Sequence, residues 1–381
     1  MDLHATLYKE YDEQSNILSF FGALTMYNIE NEKTIRRPFI VRKFRWISAV
    51  AVLIFVATAL PVQAATIPAG AETTDKQVGS LTPTVVSRLE KAVQELIGSK
   101  TAFQFDDVTD MGKTWIVEGE LEDGTATLQT EYNKEKNRVD STTIRYKISS
   151  LGKAMNAPLK TKVLNSAKAF DSKRPLQFEA FWRVKSPYQS NKPSNYWVFW
   201  GAGEQASSLY VDVDRGNAIT INADYALKQV DPLLLNRAMN TFKRVSGQRI
   251  KVQHASRYKD ETKGLSYWSF EDANEASEVK ISVVTGKVLA VSTYGVDWND
   301  DADFKKTFAS PKYTPSEALK LVKSKVQMLF NINLSGYKVN VQGNQYTFFK
   351  QQKGTDSIVA KVNKKGTFYA YSLHSSDGKM P

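Results

Sequence analysis

Leu209-Tyr-Val-Asp-Val-Asp-Arg-Gly216-Asn-Ala-Ile-Thr-Ile221 is the stretch that decides the fold. Apolar and polar residues alternate on both sides of Gly216, the period-two pattern of half-buried strands. Gly216 stands where a tight hairpin needs positive φ. The design returns in Val279 to Val291 around Gly286, and in Ile358 to Tyr371 around Gly366. An earlier relative runs from Thr127 to Tyr132 and from Val139 to Tyr146. Asn137 holds the turn there and tolerates the same backbone.

An aromatic strand precedes each hairpin: Lys113 to Val117, Tyr196-Trp-Val-Phe-Trp200, Tyr267-Trp-Ser-Phe270 and Tyr346-Thr-Phe-Phe349. Such residues fit a pleated, half-buried surface. A helix precedes each aromatic strand in turn. Thr82-Pro83, Asp231-Pro232 and Thr314-Pro315 each pair a capping residue with a first-turn proline. Val85, Leu89, Val93 and Leu96 recur at helical spacing after the first. A weaker helix opens at Pro158, with Ala157, a poor cap, before it. The opening prolines, 83, 158, 232 and 315, lie 75, 74 and 83 residues apart. This regularity reads as an internal repeat. The expected fold is α+β: about four tandem units, each one helix packed on its own three- to four-stranded antiparallel sheet. They are placed at 81–150, 157–226, 231–297 and 313–377. The acid-rich segment from Val296 to Lys312 is the longest linker between them.

One N-capped helix, an aromatic strand and a hairpin of the type Val-x-Val-x-x-x-Thr-Gly-Lys-Val-Leu, here with Ile281 at the second valine, resembles the PepSY domain. The tandem form is similar to the secreted YcdB/YcdC repeat proteins of Gram-positive bacteria. Val279 to Leu289, with Thr285-Gly286-Lys287, and Val211 to Asn217 carry the likeness. No copy keeps the full Val-Asp-x-x-Thr-Gly motif, and Ser282 stands where its acid would be. The resemblance implies a non-catalytic exported module that binds an extracellular or envelope protein, as a peptidase inhibitor or chaperone. It brings no catalytic residues.

The address comes from residues 36 to 65. Arg36, Arg37, Arg42, Lys43 and Arg45 precede an uncharged apolar run from Trp46 to Leu60, then Pro61-Val-Gln-Ala64-Ala65. A basic flank, an apolar core and a small-residue end compose a secretory signal. Cleavage is expected before Ala65, with an uncleaved N-terminal membrane anchor as the alternative. Met26 would start a signal of more usual length than Met1. Residues 1–64 are therefore set aside as leader and signal. The remainder is expected to be secreted or attached to the cell envelope.

The chain of 381 residues carries a formal charge of +11. Seven basic and six acidic residues fall in 1–64, so the excess belongs to the exported part. An anionic cell wall or membrane surface is the matching partner outside the cell. The scattered lysines and the export signal argue against nucleic acid. A solvated, solubilising surface is the plainer reading of the same charge. A basic wall-binding or glycan-binding envelope protein is the alternative function.

Absence of cysteine removes thiol nucleophiles, disulfides and cysteine metal sites, and only three histidines remain. No cofactor is expected and the chain is read as not an enzyme. His254 is read as a surface or hydrogen-bonded residue, and His374 has no evident partner. Asp212-Val-Asp214-Arg-Gly216 has some flavour of a calcium loop but lacks a further acid before the glycine and the distal glutamate. Asp300, Asp301 and Asp303 gather in the linker, read as solvated. Gly201-Ala-Gly203 opens no helix and carries no phosphate-binding motif. The contact residues expected for a partner are Trp197 and Trp200. On a strand, Trp197 and Phe199 take one face and Tyr196, Val198 and Trp200 the other.

Overall fold

The computed structural model describes residues 75–76, 78–98, 101–186, 194–201, 206–352 and 354–375. The signal segment, Tyr188 and Gly203 lie outside the described residues. The chain divides into Met1–Thr66 and Ile67–Pro381, and only the second contains described residues. No helix among them is long and apolar enough to cross a membrane.

The described chain begins with β1 (Asp75–Lys76), α1 (Pro83–Ile97), β2 (Phe103–Asp110), β3 (Thr114–Leu121), β4 (Ala126–Asn133) and β5 (Arg138–Lys147). Next come α2 (Leu151–Ala154), α3 (Ala157–Phe170), β6 (Phe178–Lys185), β7 (Asn195–Gly201), β8 (Ser207–Asp212) and β9 (Ala218–Tyr225). Then follow α4 (Pro232–Ser246), β10 (His254–Asp260), β11 (Leu265–Glu271), β12 (Glu278–Ser282) and β13 (Val288–Ser292). The last elements are α5 (Asp301–Thr307), α6 (Pro315–Phe330), β14 (Lys338–Gln342), β15 (Gln345–Phe349), β16 (Ser357–Val362) and β17 (Phe368–His374).

The local signals act largely as read. Thr314 accepts from the Glu317 amide while Glu317 reaches back to the Thr314 amide, closing a capping box at α6. Asp231 caps α4 by accepting from the Leu233 amide. Two caps differ. Thr82 makes no side-chain cap bond on α1. At α3 the cap is Asn156, which accepts from Leu159, so Ala157 is already helical and its poor capping is irrelevant. Gly216, Gly286, Gly366 and Asn137 all adopt positive φ.

The expected fold of about four separate helix-on-sheet units is corrected. The described residues form one antiparallel sheet of seventeen strands, and the strands dominate over six helices. Strands β1 to β13 pair in chain order. β13 then takes β17, and β16, β15 and β14 follow outward. The edges expected to be free are consumed: β5 pairs β6, β9 pairs β10 and β13 pairs β17. The physical reason is backbone hydrogen bonding. A free edge leaves a row of unpaired N–H and C=O groups, and the next strand satisfies them. Side-chain periodicity within a stretch carries no information about that pairing.

The core is shared in the same way. One apolar cluster runs from Val93 of α1 through Phe181, Phe199, Phe242 and Phe270 to Leu373 of β17. A smaller one, with Leu89, Val108, Val117 and Tyr132, lies under the first turns of α1. Helices straddle the joins: α1 touches β4, β5 and β6, and both α4 and α6 touch β13 and β17. Each phenylalanine buried here contributes about 2–3 kcal/mol through apolar area removed from water.

Candidate functional site

Directly opposed residues of antiparallel strands share a face, so the registers sort every side chain of the sheet. One face carries the helices and the apolar cluster. The other collects a continuous polar and aromatic surface whose side chains stay out of that cluster.

Trp197 and Phe199 take the helix side, as their spacing required. Trp197 is only 7% exposed. Its ring lies 5.9 Å from both Tyr146 and Phe181, with the Arg183 guanidinium 5.2 Å over it. Arg183 donates to the carbonyls of Tyr196 (3.1 Å) and Val184 (3.3 Å). Burial brings its pKa down to about 10. Trp197 is therefore part of the packed interior and presents no surface for a partner.

Trp200 takes the opposite face and builds a cluster there. Its ring is 5.2 Å from Trp182 and 6.5 Å from Tyr210, and Tyr210 is 5.9 Å from Tyr196. The registers explain the grouping: Arg145 opposes Trp182, Trp182 opposes Val198, and Val198 opposes Tyr210. Arg145 lies 5.6 Å from the Trp182 ring. Burial holds its guanidinium below the ordinary arginine value, against the pull of Glu118. Burial also pushes the hydroxyls of Tyr196 and Tyr210 up. Among the described residues, three buried donors have no hydrogen-bond partner: Arg145 Nε, Trp200 Nε1 and the Tyr210 hydroxyl. Buried polar atoms are almost always paired, so three together mark an unusual place.

Further along the face, Tyr258 and Tyr267 oppose each other with rings stacked at 5.1 Å. They stand on the face opposite the apolar cluster, and burial raises both hydroxyls.

One row crosses four strands: His254 opposes Glu271, Glu271 opposes Glu278, and Glu278 opposes Ser292. Along β17, Ser372 lies beside His374, whose Nε2 is 2.9 Å from the serine oxygen. Burial and the Lys361 ammonium hold the His374 imidazole below its usual value. This serine is the partner that His374 lacked in the sequence reading. The signal was available, because residues two apart on a strand share a face.

Several aspartates of the Asp212–Gly216 turn and of the Val296–Lys312 segment are engaged by protein groups. Asp212 accepts from the Arg215 amide, and Asp214 accepts from Ser194 and Asn195. Asp297 accepts the amides of Lys364 and Lys365. Asp303 pairs with the Lys364 ammonium, and Asp300 caps α5. The segment from Val296 to Lys312 is thus a fastened, partly helical connection rather than a solvated linker. No metal-ligating group of three or more His, Cys, Asp or Glu occurs among the described residues.

No family model matches this chain. No curated protein and no solved structure matches it either. The site's chemistry therefore rests on its own geometry.

Proposed function

We propose that the chain is an exported, non-catalytic binding protein of the cell envelope, and that it holds a protein partner on the helix-free sheet face. The observation that carries this reading is the cluster of Arg145, Trp182, Trp200, Tyr196 and Tyr210 on the face opposite the apolar cluster, with three donors unpartnered among the described residues. Trp, Tyr and Arg are the residue types that dominate the energetics of protein interfaces. Strand addition at internal edges is closed to a partner, because those edges are paired. The likeness of Val279 to Leu289 to a PepSY hairpin supports a non-catalytic role, and the segment around Trp46 to Leu60 supports export.

A second reading, binding of an acidic wall glycan, is favoured by the net charge of +11 and by Lys147, which shares its cross-strand row with Trp200. Aromatic rings beside cationic groups suit such a ligand.

The test uses full-length protein, tagged and purified from the producing cell with its bound material. Trp200→Ala, and Leu321→Ala on the helix side as control, are compared with the wild type. The protein reading expects one stoichiometric partner that is lost with Trp200→Ala and kept with Leu321→Ala. A peptidase that loses activity on binding would make the partner's class explicit. Equal recovery by all three proteins overturns the face as the site. Binding only to purified wall, fading as salt rises, transfers the assignment to the glycan.

A further inference from the structure

We propose that Glu271 and Glu278, joined through Ser269, form a proton-operated latch between β11 and β12.

The geometry begins with register. The two glutamates stand directly opposite each other at the turn end of the β11–β12 pair. Like charges directly opposed on adjacent strands repel. Ser269 lies one step back on the same face, with its oxygen 2.5 Å from Glu278 and 3.5 Å from Glu271. A serine hydroxyl has one proton to donate. Glu278 takes it and also pairs with Lys280 at 3.3 Å. Glu271 is left with neither a close cation nor a strong donor.

The remaining surroundings add to its isolation. Asp224 of β9 and Glu275 in the β11–β12 turn both bear on it with negative charge. Lys280 opposes them, and His254 of β10 lies directly across from it at the strand's start. Asp272, next in sequence, spends its carboxylate on the amides of Asn274 and Ala276. Burial first, then Glu278 and Glu275, push Glu271 up to about 7.

Below about pH 7 the pair therefore holds one proton, and above it the proton leaves. With it, Glu271 is neutral and the strand ends stay closed over Ser269. Without it, two opposed carboxylates strain the last rungs of β11 and β12 and the turn from Asp272 to Ser277. The device sits on the same face as the aromatic cluster but needs no ligand, so it stands or falls separately from the proposed function.

Hydrogen–deuterium exchange on the full protein at pH 6 and pH 8, corrected for intrinsic rates, tests it. Amides of β16 and β17 serve as the internal reference. Protection over residues 267–282 is expected to fall by about tenfold relative to that reference at the higher pH, the factor that one pKa unit of coupling allows. Glu271→Gln, a neutral stand-in for the protonated acid, is expected to abolish the fall. A constant ratio in the wild type, or a fall that persists in Glu271→Gln, overturns the latch. Should the variant fail to fold, carbon-13 NMR titration of wild-type Glu271 decides instead. A midpoint near neutrality supports the latch, and one near the ordinary glutamate value refutes it.

Discussion

The Tyr225 hydroxyl donates to the Asp171 carboxylate at 3.1 Å, tying the last turn of α3 to β9 across 54 residues of chain. Asp171 also accepts the amides of Lys173 and Arg174, and the Arg174 guanidinium lies 5.1 Å from the Tyr225 ring. Burial and the neighbouring carboxylate push Tyr225 up to about 12. Tyr225→Phe removes one hydrogen bond to a charged acceptor and is expected to cost about 1.5 kcal/mol. Asp171→Ala strands the hydroxyl and both amides, and is expected to cost about 3 kcal/mol. Urea denaturation of the two variants checks the order.

The two tryptophans of β7 should separate stability from binding. Trp197→Ala empties a site packed by Tyr146, Phe181 and Arg183, and is expected to cost about 3–5 kcal/mol. Trp200→Ala removes a half-buried ring and is expected to cost less, while abolishing partner capture. Thermal unfolding and the capture assay, run on the same preparations, read the two effects independently.

Glu271 gives the pH dependence a sign. Its folded pKa lies above its unfolded one, so the folded state keeps a proton that the unfolded chain releases. The folded state then binds more protons between about pH 4.5 and 7, and stability falls as pH rises through that window, levelling off above it. Glu271 is partly exposed, and after allowance for solvent screening the difference is about 1–2 kcal/mol. Urea midpoints at pH 5 and pH 8 are expected to converge in Glu271→Gln relative to the wild type. An unchanged gap would assign the pH effect to other groups.

Gly119 is a steric test of the β2–β3 pair. A Cβ there would lie 2.1 Å from the carbonyl oxygen of Gln104, beside the irregularity at Phe105 to Asp107. Gly119→Ala must push two backbones apart and is expected to cost about 2 kcal/mol or more. Gly152→Ala, whose Cβ would meet only the Lys160 ammonium at 3.5 Å, serves as the tolerated control.

The elements were legible where the signal is local. Proline openings, capping acids and hairpin glycines report on a few neighbouring residues, and they located α4, α6 and the turns at Gly216, Gly286 and Gly366. The joins were not legible. Nothing in Arg138–Lys147 says that its outer backbone edge will meet Phe178–Lys185, because that contact is made by groups every residue owns. The candidate site was half visible for the same reason. The parity of β7 separated Trp197 from Trp200, but the approach of Arg145 and Tyr210 needed the register of three further strand pairs. The opposition of Glu271 and Glu278 likewise depends on a turn whose length the sequence did not announce.

The backward return of the last four strands sets a timetable for the chain. Through β13 each strand meets one that is close in sequence, so the sheet can grow as polypeptide is delivered. β13 must wait, because Ala290 pairs with Ser372, 82 residues later. Until β17 arrives, β13 presents an open backbone edge, and long-range pairing of this kind is slow and exposed to wrong partners. A ribosome that stops short of Phe368 would release a molecule with open edges on both β13 and β16, competent to associate with its own kind.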